Sequence, residues 1–338
     1  MTKEIRTLGI VGAGTMGAGI MINAVTSGLK VVLVDRKPDI LEAAKAKLAS
    51  YLSRQVQKGR IEADTVEAMK ARLSLSDEMS ALAGADVVIE AVFENLDLKR
   101  TIFDTIEKVV PDDTLLASNT SCLRISDIAQ VLKNPARFCG THYFSPAEIN
   151  PVVELIQGAD TAPETLESAA AFLKLIGKEV IPCKDQNGFA LNRFFCPYTN
   201  EAVRLLDEGV ATAAQIDAVA KDAFGLALGP FAVMNIIGTA TNLNAVRNLA
   251  ALGPFYEPAA SLEAHGKDNQ PWELDPSPEP PGVAAQDQIS ARLTQAILLP
   301  VSELLAEGTA TLEAIDHGAR LAFRFGVLPG ELMAKQGV

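Results

Sequence analysis

The chain is short of the residues that usually mark chemistry. Its 338 residues include three histidines, four cysteines and one tryptophan, and aromatics make up 5%. A general base therefore has few candidates: His142, His265 and His317. Cys122, Cys139, Cys183 and Cys196 show neither CxxC nor metal-ligand spacing. That argues against a thiolate metal centre and reads as reduced, mostly buried thiols of a cytoplasmic protein. Positive charge is also scarce. A net charge of −12 argues against non-specific nucleic-acid binding, and leaves anionic ligands to local fields at helix ends. No apolar run is read as long enough to span a membrane, and the short, charged start Met1–Arg6 is not a signal peptide.

What is present begins with Gly12-Ala13-Gly14-Thr15-Met16-Gly17, preceded by the apolar run Leu8–Val11 and followed by a helical pattern. Asp35 ends a second strand-like run, Lys30–Val34, 23 residues after Gly12. Gly12 allows a tight turn, Gly14 a close approach of backbone to pyrophosphate, and Gly17 the packing of helix on strand. The phosphates would sit on the helix N-terminus, where unpaired N–H groups and the helix dipole favour an anion. A carboxylate at Asp35 accepts from both ribose hydroxyls and repels a 2′-phosphate, which favours NAD over NADP. Arg36 and Lys37 could hold a phosphate or simply form a solvated turn before Pro38.

The length suggests two domains. Residues 1–184 alternate strand and helix patterns, with further strands near 86–91, 114–117, 138–143, 152–156 and 179–182, which implies a parallel sheet covered by helices. Residues 39–72, rich in Ala, Lys, Arg and Glu, read as an inserted helical hairpin that projects from the sheet. Residues 185–338 are helical and repeat. Arg193, Leu205, Leu206, Glu208, Gly209, Ala211, Thr212, Ile216 and Asp217 recur 99 positions later as Arg292, Leu304, Leu305, Glu307, Gly308, Ala310, Thr311, Ile315 and Asp316. The repeats cover about 185–252 and 289–338. The Pro-rich stretch 253–288 between them reads as an irregular linker, with Trp272 as a packing anchor.

His142 falls at the carboxyl end of a strand, the edge where open α/β sheets bind ligands. His265 and His317 read as surface residues. Glu154, flanked by apolar residues, would be buried and would need a partner. Either His142 fills that role or an arginine does. A His142–Glu154 pair would orient the imidazole, fix its tautomer and suit it to general base catalysis. Ser118-Asn119-Thr120-Ser121-Cys122 ends another strand at the same edge. It would either hydrogen-bond substrate and nicotinamide or cap the next helix. Asn192 opens the first repeat, whereas its counterpart in the second is Ala291. An amide kept in one copy alone fits one functional site and one structural twin.

These motifs, with Glu90–Leu96, Lys99 and Asn187–Arg193, resemble those of the L-3-hydroxyacyl-CoA dehydrogenases, in particular the bacterial fatty-oxidation type with a duplicated C-terminal helical domain. The resemblance implies an α/β Rossmann-like N-terminal domain followed by an all-α domain of two repeats. It implies Ser121, His142, Glu154 and Asn192 as catalytic positions, with Ser121 and Asn192 on the substrate. It also implies NAD contacts at Gly12, Gly14, Thr15, Met16, Gly17, Asp35, Glu94, Lys99, Ser121 and Ser145, and a coenzyme A contact at Lys58. Three departures stand out. Ser145 replaces a common Asn. Glu148 and Asn150 either bias the acyl pocket toward a polar group or face solvent. Asn235 replaces an acidic residue, near an unusual Thr239-Ala240-Thr241.

The expected reaction is NAD-dependent oxidation of a 3-hydroxyacyl-CoA to the 3-oxoacyl-CoA. The alternatives are the same fold acting on a different hydroxy acid or a ring-derived acyl-CoA, and a non-catalytic NAD-binding protein. The expected partner is the acyl-CoA substrate, with neither nucleic acid nor membrane. The chain would be a monomer or a homodimer through the helical domain.

Overall fold

Apolar strand runs separated by amphipathic helices produce the first of two units, Met1–Asp185 and Gln186–Val338, in the computed structural model, which describes residues 4–337. The order in the first unit is β1 (Thr7–Val11), α1 (Thr15–Thr26), β2 (Lys30–Val34), α2 (Pro38–Gln57), α3 (Val66–Lys70), β3 (Leu73–Ser76) and β4 (Val87–Glu90). It continues with α4 (Leu96–Glu107), β5 (Leu115–Ser118), α5 (Ile125–Ala129), β6 (Phe138–Tyr143), β7 (Val152–Gln157), α6 (Pro163–Leu175) and β8 (Glu179–Lys184). The strands form one sheet in the order β3-β2-β1-β4-β5-β6-β7-β8. This is the Rossmann-like α/β arrangement.

The sheet is not wholly parallel, as the sequence reading had it. β7 runs antiparallel to β6. Only residues 144–151 join the two, too few for the crossover of a dozen or more residues that a parallel pair needs. The reading also missed β3, whose short sequence Leu-Ser-Leu-Ser sits at the sheet edge with little apolar signal. The helical insertion does not project freely. In α2, Leu41, Ala44, Leu48 and Leu52 form a buried stripe at helical spacing that joins the core with Ile20, Met21 and Leu33. The second arm shrinks to the five-residue α3.

Register positions the site. Val34, Val11, Glu90, Ser118 and Gly140 are successive cross-strand partners along β2, β1, β4, β5 and β6. The loops that leave these parallel strands therefore emerge along one line: Asp35, the glycine turn, residues 91–95 and residues 119–124. His142 lies two residues beyond Gly140.

The second unit holds α7 (Leu191–Asp207), α8 (Ala213–Phe224), α9 (Pro230–Ile237), α10 (Thr239–Leu249), α11 (Ala260–Lys267), α12 (Val283–Ala306), α13 (Leu312–Ala322) and α14 (Pro329–Gln336). The 99-residue offset places the starts of α8 and α9 on those of α13 and α14. The side-chain chemistry repeats as well. Thr212 and Thr311 each accept from the third helical N–H. Asp217 accepts from the first turn of α9 at Phe231 and Ala232, and Asp316 from that of α14 at Gly330. Arg193 pairs with Glu307, and Arg292 with Glu208. The two repeats thus exchange equivalent ion pairs, as the two halves of an isologous interface do.

α12 is long and apolar enough to cross a membrane by length and composition. Its Ile289, Leu293, Ala296, Ile297, Val301 and Leu304 are buried in this unit, and 39% of its apolar window is buried in all. The linker is also less irregular than its composition suggests, since α11 lies within it. Trp272 is buried against Phe231 and His265, and His265 is half-buried in that stack rather than a surface residue. Asn235 explains its own departure. Its Oδ1 accepts from the Trp272 backbone N–H at 2.7 Å and its Nδ2 donates to the Trp272 carbonyl at 2.9 Å. A carboxylate at this position has no donor for the second bond.

The repeats also explain one strained residue. Gly225 ends α8 with φ 63°, and its counterpart Arg324 adopts φ 62° after α13. An L side chain in this left-handed region costs about 1–2 kcal/mol. Arg324→Gly should raise stability by about 1 kcal/mol after the entropy cost of glycine in the unfolded chain. Thermal unfolding by calorimetry measures this. A melting temperature at or below that of the parent would refute it.

Candidate active site

The glycine turn is built by close contact. A Cβ on Gly17 would lie 1.8 Å from the Gly12 carbonyl oxygen, and one on Gly12 2.7 Å from the Ala91 carbonyl oxygen. Gly12 also has φ 101°. Above Gly14 a Cβ meets nothing within 4 Å. The turn is therefore packed underneath and open at Gly14, where a pyrophosphate needs backbone approach, and α1 starts there with no side chain capping its first N–H groups. Thr15 is exposed, whereas Met16 packs partly into the core. Asp35 accepts from the Ala13 N–H at 2.8 Å and the Lys37 N–H at 3.0 Å. The carboxylate expected on the ribose is thus itself aimed by the glycine turn. The residues present fit a dinucleotide.

Next along the edge is a buried charge network. Glu90 and Lys99 are 0% and 1% exposed and pair at 2.7 Å. Glu90 also accepts from the Val92 N–H and the Ser118 hydroxyl, both at 2.7 Å. Lys99 reaches Glu94 at 3.3 Å. The structure thus places the expected NAD contact Lys99 inside the domain, between two carboxylates, where it orients the loop. Sequence reading missed this because a lysine on an amphipathic helix ordinarily faces water.

Glu94 organises the loop after β5. Its Oε1 accepts from Thr120 Oγ1 at 2.5 Å, from the Ser121 and Cys122 N–H groups at 2.8 and 3.1 Å, and from Ser121 Oγ at 3.3 Å. Burial works to raise the Glu94 carboxyl, but Lys99 and these hydrogen bonds outweigh it and hold it at about 2. Residues 118–122 do not cap the next helix, whose Ile125 and Ser126 N–H groups donate to Asp185. Ser118 and Thr120 are structural and buried, while Ser121 stays accessible at the edge. Asn119 accepts from the Tyr143 N–H at 2.9 Å and ties this loop to the end of β6.

His142 stands directly opposite Glu154 in the antiparallel register of β6 and β7. Its Nδ1 lies 2.7 Å from Glu154 Oε2, and its ring packs on Phe144 at 4.4 Å between centroids. Glu154 is 0% exposed. This resolves the choice of partner in favour of the histidine. The antiparallel turn that the sequence reading missed brings the two residues face to face.

Ser145 follows β6 and is exposed. Glu148 and Asn150 have structural contacts in this loop. Glu148 packs against α1 beside Gly19 and pairs with Lys47 at 3.4 Å. Asn150 accepts from the Val152 N–H at 3.1 Å and shapes the turn into β7. The loop is also held by a residue the sequence did not single out. Lys178 is buried and donates to the carbonyls of Ala147 and Asn150 at 2.6 and 2.7 Å. Burial pushes its ammonium down to about 8, with Glu148 opposing.

Lys58 ends α2 in an exposed cationic turn with Arg54 and Arg60. Asn192 lies in the first turn of α7, in the second unit, and is half-buried.

A glycine turn aimed at a dinucleotide, with a histidine–carboxylate pair on the same sheet edge, defines an NAD-dependent dehydrogenase. Residues 7–186 match the family model for the NAD binding domain of 3-hydroxyacyl-CoA dehydrogenase, and residues 188–270 match its C-terminal domain. The chain belongs to the 3-hydroxyacyl-CoA dehydrogenase family, and NAD is its cofactor. It is 38% identical over 242 residues to 3-hydroxyadipyl-CoA dehydrogenase of Escherichia coli, covering 72% of this chain and 51% of that protein. It thus spans about half the length of that relative. It is 36% identical over 267 residues to the mitochondrial hydroxyacyl-coenzyme A dehydrogenase of Mus musculus, covering 76% of this chain and 85% of the other. The crystal structure of 3-hydroxybutyryl-CoA dehydrogenase from Escherichia coli superposes with a TM-score of 0.89 at 25% identity, over 99% of this chain and 92% of that one.

The Glu94 network has a pH signature. Its carboxyl is lower in the folded protein, about 2, than the ordinary 4.5. Its contribution is therefore complete above about 4.5 and lost as pH falls toward 2. Glu94→Gln should cost about 1–3 kcal/mol at pH 7, and the difference from the parent should shrink across that acid window. Urea unfolding at several pH values measures both. A constant difference from pH 7 to 2.5 would show that the carboxylate charge carries none of it.

Proposed function

We propose that this chain oxidises a 3-hydroxyacyl-CoA to the 3-oxoacyl-CoA, and reduces it in reverse, with His142 as the general base oriented by Glu154. The observation that carries this is the 2.7 Å His142–Glu154 bond on the edge from which the glycine turn leaves. Bound NAD supplies the acceptor for the C3 hydride. Gly12 to Gly17 and Asp35 hold it, and Glu94 keeps Ser121 in place beside it. Glu154 engages Nδ1, so Nε2 takes the hydroxyl proton as the C3–O bond becomes a carbonyl. Ser121 and Asn192 hydrogen-bond the substrate oxygen as its charge changes. Lys58, with Arg54 and Arg60, meets the phosphates of coenzyme A.

The four cysteines are buried thiols, which supports a reducing, cytoplasmic setting. The reciprocal pairing of the two helical repeats supports a monomer, since a face already paired with its twin needs no second copy.

His142→Ala should lower kcat for acetoacetyl-CoA reduction by roughly 10²–10⁴-fold, with NADH binding by fluorescence within a few-fold of the parent. Near-parental turnover would remove His142 as the base. Free coenzyme A should compete with the thioester, and charge reversal at Lys58 should weaken that competition. If free coenzyme A does not compete while a free hydroxy acid turns over, the substrate is a free acid.

A further inference from the structure

The two repeats carry the same ion pair, but only one copy sits beside a functional amide. Arg193 follows Asn192 directly and is 2% exposed. Its Nη2 lies 2.9 Å from Glu307 and 3.1 Å from Glu303, both on the second repeat. Its Nε donates to the Tyr256 hydroxyl at 3.3 Å, and Tyr256, in the linker, in turn bonds Glu303. Its Nη1 reaches the Asn187 carbonyl at 3.5 Å. One planar guanidinium thus joins the segment before α7, the linker and the second repeat.

Arg193 also holds the start of α7 through its backbone, since its N–H donates to the Gly188 carbonyl at 3.1 Å. The approach runs through two left-handed residues, Gly188 at φ 75° and Phe189 at φ 51°. The twin differs at this point. Arg292 pairs with Glu208 and reaches Glu201 at 2.6 Å, but it lies well inside α12, which begins at Val283, and it follows Ala291. Arg193 therefore acts at the end of α7 next to Asn192, whereas Arg292 grips Glu201 and Glu208, nine and sixteen residues further along the chain from Asn192.

We propose that Arg193 is a positioning residue for Asn192, so that the second repeat and the linker act in the reaction through it. This rests on the reading of Asn192 as a substrate contact. Lysine cannot reproduce the guanidinium fork, and loss of the tie would displace Asn192 from the substrate oxygen.

The experiment uses the full chain and acetoacetyl-CoA with NADH. Arg193→Lys and the milder Glu307→Gln are compared with their twins Arg292→Lys and Glu208→Gln. Misplacing one oriented group costs on the order of tenfold or more. Arg193→Lys should lower kcat by about that much and Glu307→Gln by roughly threefold, with KM for NADH little changed. The Arg292 and Glu208 variants should lose thermal stability to a similar degree while keeping kcat within about twofold. In an Asn192→Ala background, Arg193→Lys should lower kcat no further, since two residues acting through one contact are not additive. If Arg193→Lys unfolds the chain, the Glu307→Gln and Glu208→Gln pair decides alone. Equal effects on kcat in the two repeats would overturn the proposal, as would full additivity with Asn192→Ala. Unchanged kcat in Asn192→Ala itself would instead overturn the underlying reading of Asn192.

Discussion

A carboxylate and an ammonium with no access to water set the terms for the site's central edge. Removing Glu90 and Lys99 from solvent is tolerable only if every lone pair and proton finds a partner. Glu90 finds them in Lys99, the Val92 N–H and the Ser118 hydroxyl, which lie on three different elements. The pair therefore fastens α4 and the ends of β4 and β5 together. Lys99 then holds Glu94, and Glu94 holds the backbone around Ser121. A requirement of burial becomes a positioned serine. Hydrophobic packing alone does not do this, because it is non-directional and fixes no hydroxyl orientation.

The legible parts of the chain were those whose chemistry is local. The glycine turn shows in sequence because three absent side chains leave a pattern. β2 and β6 match their apolar runs residue for residue. The buried carboxylate at Glu154 was legible because an acid inside an apolar strand demands a partner. Non-local features were not. The reversal of β7 follows from loop length acting against sheet topology, and β3 has four residues and half the apolar signal of a core strand. Lys99 and Lys178 look like surface lysines until the fold brings carboxylates and carbonyls around them. Glu148 and Asn150 left two readings open, an acyl pocket or a solvated face. Their loop folds back onto α1 and onto Lys178 just before β8, contacts with residues far from it in sequence.

The duplicated unit shows how copies diverge in use while keeping their construction. Caps at Thr212 and Thr311, bridging acids at Asp217 and Asp316, and left-handed helix ends at Gly225 and Arg324 are all retained. These are interactions within each helix–turn–helix. The amide at 192 has no such duty, and its counterpart is alanine. Asn235 makes the complementary case. It anchors Trp272 through a donor and an acceptor on one side chain, a task that arises only where a long linker returns to the first repeat. Residues shared by the repeats therefore report the fold, and residues that differ report what each copy is for. Each repeat supplies acids that grip the other's arginine, Glu303 and Glu307 for Arg193 and Glu201 and Glu208 for Arg292.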